Sequence, residues 1–310
     1  MLFRSQWAAF RAAAAKLEQE SASAPWRATY EAAISGTTSL QCFNDWVSEL
    51  ATTAYLHNHA RMWFASVWIF TLQLPWELGA LFMYRHLLDG DPASNTLSWR
   101  WVGGLHTKGK LYLARADNIA KYSDGRWTPK DSELAGSAEP LVETSIPNLE
   151  HHGAHTPLPT TQDTRGAALL VPADDLSIEL ALESLPGVSA IGMLSPRLEL
   201  GESALVRSFA EGACRDAHAR MQTAAAGVLV SHVTSADELL ALLASTGAAR
   251  AVLVKPSVGP DQHWESLLLA VSAEEGIDAY EWRRPWDEKL FPLARKGFFP
   301  FREGAKKSLF

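Results

Sequence analysis

Residues 55–101 constrain this chain more than any other stretch. They open as Y-L-H-N-H-A-R-M-W, run on apolar from residue 62 to Pro75, and close as D-G-D-P-A-S-N-T-L-S-W-R-W. A segment that is apolar nearly all round its helical circumference has to be packed on every side, so residues 58–74 predict a central helix that Pro75 ends. The run falls short of the roughly 20 residues a membrane-spanning helix needs, and Arg61 and Glu77 bracket it. Around it, Asn58, Arg61, Asp89, Asp91 and Asn95 sit in segments that otherwise read as buried. Buried amide, guanidinium and carboxylate groups persist only where something satisfies them. The set therefore asks for a partner with many hydrogen-bonding edges and a large flat apolar face.

The remainder of the first part is also helical in pattern. Residues 6–19 and 26–34 are helix-favouring, and residues 43–56 place Phe43, Trp46, Val47 and Leu50 on one face. Residues 76–88 and 93–102 follow, joined by the D-G-D-P turn. Nine of the twelve tryptophans precede Lys130, which marks a first domain with its own chemistry. Residues 104–127 read as partly irregular, and 128–164 as a linker rich in Pro, Ser, Thr, Glu and His. After Arg165 short apolar runs at 167–171, 190–194, 227–230 and 251–254 alternate with helical stretches at 204–225, 236–245 and 264–275. That alternation predicts a parallel sheet with crossovers. The expected architecture is α + α/β: an all-α domain over 1–130, a linker over 131–164, and a smaller Rossmann-like α/β domain over 165–310.

The spacing H-N-x-x-R-M, a helix-length gap, then D-G-D-x-x-x-N-x-x-x-W-x-W resembles the FAD-binding helical domain of the DNA photolyase and cryptochrome family, with no residue inserted or missing. A flavin answers the demand for a flat, polar-edged partner. The resemblance implies that Asn58, Arg61, Asp89, Asp91 and Asn95 cradle the FAD ring, with Gly90 in the same turn. Asp89-Gly90-Asp91 taken alone would read as a helix-capping turn. Asn95 matches the residue facing the flavin N5, where an amide resembles the repair enzymes more than the plant cryptochromes. Trp99 and Trp76 match two members of the family's electron relay, Ser23 falls at the third position, and Trp26 one turn away is the expected substitute. Trp46, Trp63 and Trp68 are read as core. Met62 and Trp101 match the lining of the lesion cavity, and His59 a DNA contact. Lys108, Lys110 and Arg115 are phosphate contacts or plain surface charge. His57 reads as a buried, hydrogen-bonded histidine, and His151, His152 and His155 lack a fourth ligand for a metal. Residues 239–301 resemble, more weakly, the family's α/β antenna domain, which normally precedes the flavin domain and here follows it.

What the resemblance implies is a light-driven, FAD-dependent photolyase-like enzyme acting on pyrimidine dimers in DNA. A cryptochrome-like blue-light photoreceptor is the alternative, and a cofactor-free scaffold the third. The last arises because the family's phosphate-clasping Thr/Ser-Arg-Ser loop and its lesion-facing glutamate helix have no counterpart upstream of Phe43. Leu2-Phe3-Arg4-Ser5 also matches what a common library adapter encodes, so the true chain is expected to extend further upstream. The net charge of -7 argues against whole-chain attraction to nucleic acid. Its distribution is uneven, however: 13 Lys and Arg against 10 Asp and Glu up to Lys130, then 15 against 25, so a local basic patch remains open to DNA. Two distant cysteines, Cys42 and Cys214, and no secretory signal point to a reducing, cytoplasmic setting with no membrane partner.

Overall fold

The computed structural model describes residues 2–105, 110–142, 158–196, 198, 200–294 and 298–309. The chain divides into two compact units, Met1–Gly153 with Leu198–Phe209, and Ala154–Arg197 with Ala210–Phe310.

The first unit contains helices α1 (Leu2–Glu20), α2 (Arg27–Ser35), α3 (Gln41–Thr53), α4 (Asn58–Ser66), α5 (Trp76–His86), α6 (Pro92–Val102) and α7 (Ala116–Tyr122). Helix α3 buries Cys42, Phe43, Trp46, Val47 and Leu50, the stripe that its i, i+4, i+8 spacing dictates. The single helix expected over 58–74 is instead α4 followed by a π-helical turn, Val67–Thr71, where the Leu72 N–H reaches back five residues to the Val67 carbonyl. Beyond it the chain leaves helical geometry before Pro75: the Leu74 N–H donates to the Trp68 carbonyl, and the Trp68 indole donates to the carbonyl of Pro75 at 2.9 Å. Helix α6 starts as its sequence asks. Asp91 is the N-cap and accepts from the Ser94 N–H at 2.6 Å, with Pro92 in the first turn.

The stretch expected to be irregular wraps back onto these helices through side-chain hydrogen bonds. Trp63 Nε1 donates to Asn118 on α7, the Ala114 N–H donates to Ser66 Oγ, and Trp127 Nε1 donates to Asp45. Each satisfies a polar group that the apolar core would otherwise strand.

The second unit is a five-stranded, wholly parallel sheet in the order β3-β2-β1-β4-β5, made of β1 (Ala168–Val171), β2 (Ala190–Leu194), β3 (Leu229–Val233), β4 (Arg250–Val254) and β5 (Asp278–Trp282). Helices α8 (Ala204–Ala224), of which the residues from Ala210 on belong to this unit, α9 (Ala236–Thr246) and α10 (His263–Glu275) connect the strands, and α11 (Pro285–Leu290) and α12 (Phe298–Leu309) follow them. Alternate strand residues serve opposite faces. Ala168, Leu170, Ala251 and Leu253 pack under Leu239, Leu242 and Leu268 of α9 and α10, while Leu169, Val171 and Val252 pack against Ala217 and Met221 of α8. Gly192 in β2 is needed for this closeness, because a Cβ there would lie 2.8 Å from the Leu242 side chain. The sequence anticipated four of the five strands; β5 is the addition. No described helix is long and apolar enough to cross a membrane.

Candidate functional site

Helices α4, α5 and α6 and the turn before α6 enclose a cavity of about 370 Å³. It is lined by Asn58, Arg61, Asp89, Gly90, Asp91 and Asn95, and by Met62, Trp99 and Trp101. Volumes of this order suit an organic ligand. Asn58 stands in the first turn of α4 and Arg61 one turn further along the same face; of the five polar groups expected to be buried only Asn95 is, with Asn58, Asp89 and Asp91 exposed and Arg61 half-buried at the cavity's edge.

Arg61 is held from two sides. Its Nε donates to the Leu56 carbonyl at 2.8 Å, while Nη2 reaches both oxygens of Asp89 at 3.1 and 3.0 Å. The guanidinium also lies over the Tyr55 ring, 5.6 Å from its centroid. Asn95 is buried on α6, and its Nδ2 donates to the Ala80 carbonyl of α5 at 2.8 Å. That bond fixes the amide, so its Oδ1 serves as the remaining acceptor. Asp91 both caps α6 and lines the cavity, so one carboxylate serves the helix start and faces the cavity.

Sequence reasoning did not single out Met83, Leu87, Ser94 or Ser98, which also line the cavity. A signal was present for the last two. Asp91, Ser94, Asn95, Ser98, Trp99 and Val102 recur at helical spacing and turn one stripe of α6 toward the cavity.

The tryptophans expected to form a relay are distributed unevenly. Trp99 is buried, lines the cavity, and has an Nε1 without a hydrogen-bond partner. Its ring meets Trp68 edge-on, centroids 6.3 Å apart. Trp76 instead lies against Phe10 at 5.7 Å with the Arg100 guanidinium over its ring at 5.9 Å, and shares no ring contact with Trp99 among the described residues. Trp26 is half-buried at the start of α2 and packs edge-on to Tyr30. Ser23 is exposed.

Of the residues expected to meet DNA, Trp101 is 42% exposed and stacks on Tyr112. His59 stacks between His57 and Tyr122, at 5.4 and 4.7 Å. His57 is not buried, as expected, but exposed: it is the N-cap of α4, its Nδ1 accepting from the His59 N–H. Lys110 is exposed, and Arg115 is paired with Asp117 at 2.9 Å. Lys108, His151, His152 and His155 lie outside the described residues.

An arginine, amides and carboxylates converging on an apolar wall of Met62, Met83, Leu87 and Trp99 match the donor and acceptor edges and flat faces of an isoalloxazine, so the residues present fit FAD. Comparison with known proteins agrees. A family model described as the FAD binding domain of DNA photolyase matches residues 2–126. A deoxyribodipyrimidine photo-lyase of Streptomyces griseus is 34% identical over 116 residues, 34% of this chain and 24% of that protein. One of Thermus thermophilus is 30% identical over 134 residues, 41% of this chain and 31% of that protein. A cryptochrome DASH of Idiomarina loihiensis is 32% identical over 116 residues, 37% of this chain and 25% of that protein. The chain thus spans about a quarter to a third of these relatives' length. No solved structure matches it. Through residues 2–126 the chain is thus similar to the FAD-binding helical domain of the DNA photolyase and cryptochrome family.

Proposed function

We propose that the helical unit is the flavin site of a photolyase-like protein that acts on pyrimidine dimers in DNA. One observation carries this reading: the six residues expected to cradle the ring, the inner relay tryptophan Trp99, and the two lesion-facing residues Met62 and Trp101 all line a single cavity. FAD, when bound, supplies light-driven one-electron chemistry that the side chains cannot.

The chain's own residues bind, orient and exclude water. Arg61, pinned by Leu56 and Asp89, presents a fixed cation at the cavity wall. Asn95 offers an amide acceptor that cannot rotate without losing its bond to Ala80. The buried apolar wall keeps bulk water from the ring. Met62 and the half-exposed Trp101 form the face on which a base turned out of its duplex would stack. His59 and Lys110 are the candidates for phosphate contact. The two free, buried cysteines suit a reducing, cytoplasmic compartment.

The test has two steps. Purified chain is titrated with FAD and its flavin absorption recorded; the loaded protein is then illuminated with a dimer-containing oligonucleotide. Retained flavin with light-dependent loss of dimers supports the proposal. Retained, photoreducible flavin without repair favours a blue-light photoreceptor. Colourless protein that refuses FAD favours the scaffold and sinks the proposal.

A further inference from the structure

The ring contacts leading away from the cavity follow a different line from the one the motif spacing implies. Trp99 meets Trp68 at 6.3 Å and 86°, Trp68 meets Tyr30 at 6.0 Å and 87°, and Tyr30 meets Trp26 at 5.9 Å and 84°. Four rings in successive edge-to-face contact thus connect the cavity wall to the half-buried start of α2. Such geometry is favourable for aromatic pairs in itself, so packing alone could account for any one of them. Two further observations go beyond packing.

The first is Gly79 on α5. A Cβ there would lie 2.3 Å from Trp99 Cη2 and 2.8 Å from Trp68 Cε2, so the contact between the two indoles exists only because this helix position has no side chain. The second is placement: Trp76 meets Phe10 at 5.7 Å and shares no ring contact with Trp99 among the described residues.

Resting on the flavin reading above, we infer that electrons reach the cavity by the route Trp26, Tyr30, Trp68, Trp99 rather than through Trp76. Trp68 and Trp26 are the oxidisable stations, and the Tyr30 ring bridges them. Burial, and then the charge of Glu18, push the Tyr30 phenol up, so it keeps its proton and takes part as a ring in contact rather than as a phenolate donor. The balance is simple. One electron moves inward at each hop with the photoexcited flavin as oxidant, no heavy-atom bond changes, and the oxidised Trp26 is refilled by a reductant such as ascorbate in solvent.

The test reads the rate of light-driven flavin reduction in the FAD-loaded full chain with ascorbate present. Trp68→Phe should slow it roughly tenfold or more and Trp76→Phe less than about threefold. Tyr30→Phe, which keeps the ring, should stay within about twofold, and Tyr30→Ala should slow it about tenfold. Loss of reduction in Trp76→Phe with Trp68→Phe unchanged overturns the route. A second arm needs no flavin. A ruthenium polypyridyl photo-oxidant is tethered at Ser98→Cys, beside Trp99 on the cavity wall, and formation of the Trp26 radical is followed by transient absorption against Trp26→Phe. The same order of variants is expected there. If FAD is not retained yet the tethered oxidant gives that order, the route stands and the flavin reading falls; if FAD is retained and the order is reversed, the route falls and the flavin reading stands.

Discussion

Arg61 on α4 and Asp89 in the turn before α6, 28 residues apart in sequence, are joined by one guanidinium nitrogen that reaches both carboxylate oxygens. The Asp89 side chain is 62% exposed, and exposed pairs of this kind contribute only about 0.2–1 kcal/mol to stability. Asp89→Asn should therefore move the melting temperature by no more than about 4 °C. Flavin affinity is expected to respond much more, because the arginine loses the partner that aims it. A charge-assisted hydrogen bond of about 1.5–3 kcal/mol predicts a Kd for FAD raised roughly 10- to 100-fold. Equal, small changes in both measurements would reduce the pair to surface decoration.

Asn95 is the buried counterpart. Its Nδ2 donates to the Ala80 carbonyl, so Asn95→Asp sets a carboxylate against a carbonyl oxygen where a donor stood. Leaving a buried acceptor unpaired costs about 1–3 kcal/mol. Asn95→Asp should lower stability in urea by that amount with or without FAD. Asn95→Ser, small and still able to donate, should recover part of the loss. A neutral Asn95→Asp would mean that the α5–α6 contact does not depend on this bond.

The two thiols offer a test that needs no ligand. Burial pushes Cys42 up from 9.0 to about 12, with Asp45 adding in the same direction, and pushes Cys214 up to about 11. Since the thiolate is the reactive form, native Cys42 holds about a thousandth of its unfolded thiolate near neutral pH. Labelling by a disulfide reagent should be slow in buffer and rapid in denaturant, with Cys214 reacting before Cys42. Rapid native labelling of Cys42 would contradict the packing of α3.

How much of this was legible in the sequence depends on whether residues were fixed by local spacing or by distant partners. The cavity was legible because Asn58 and Arg61 share one turn, and Asp91, Asn95 and Trp99 another stripe, so helical periodicity alone brings each set to one face. Strand β5 was not, because D-A-Y-E-W carries a glutamate where a core strand should be apolar. Glu281 is nonetheless buried, and it is neutralised there by Lys255 from the end of β4 and by Arg283 at 2.7 Å. A buried charge whose partner lies 26 residues away looks like a surface residue to any periodicity argument. Trp68 was set aside as core for a related reason. Its contact with Trp99 depends on Gly79, and neither spacing reports what a missing side chain on a third helix allows.

The α/β unit carries its own pH sensor of stability in His218 on α8, whose ring stacks on His232 of β3 at 4.2 Å and 7°. Burial, and secondarily the charge of His232, lower the His218 pKa below its ordinary 6.5. Above that value the imidazole is neutral whether the unit is folded or not, and it contributes no pH dependence. As the pH falls through 6.5, the unfolded chain takes up a proton that the folded one resists, so stability is lost progressively until the folded pKa is passed. Glu238 titrates in a separate, lower window, because hydrogen bonds from Thr234 hold its carboxyl below 4.5. The expected result is a unit whose midpoint in urea declines as the pH falls below about 6.5, with His218→Phe flattening that decline while leaving the acid limb below it. A slope that survives His218→Phe would mean that the proton goes to another group.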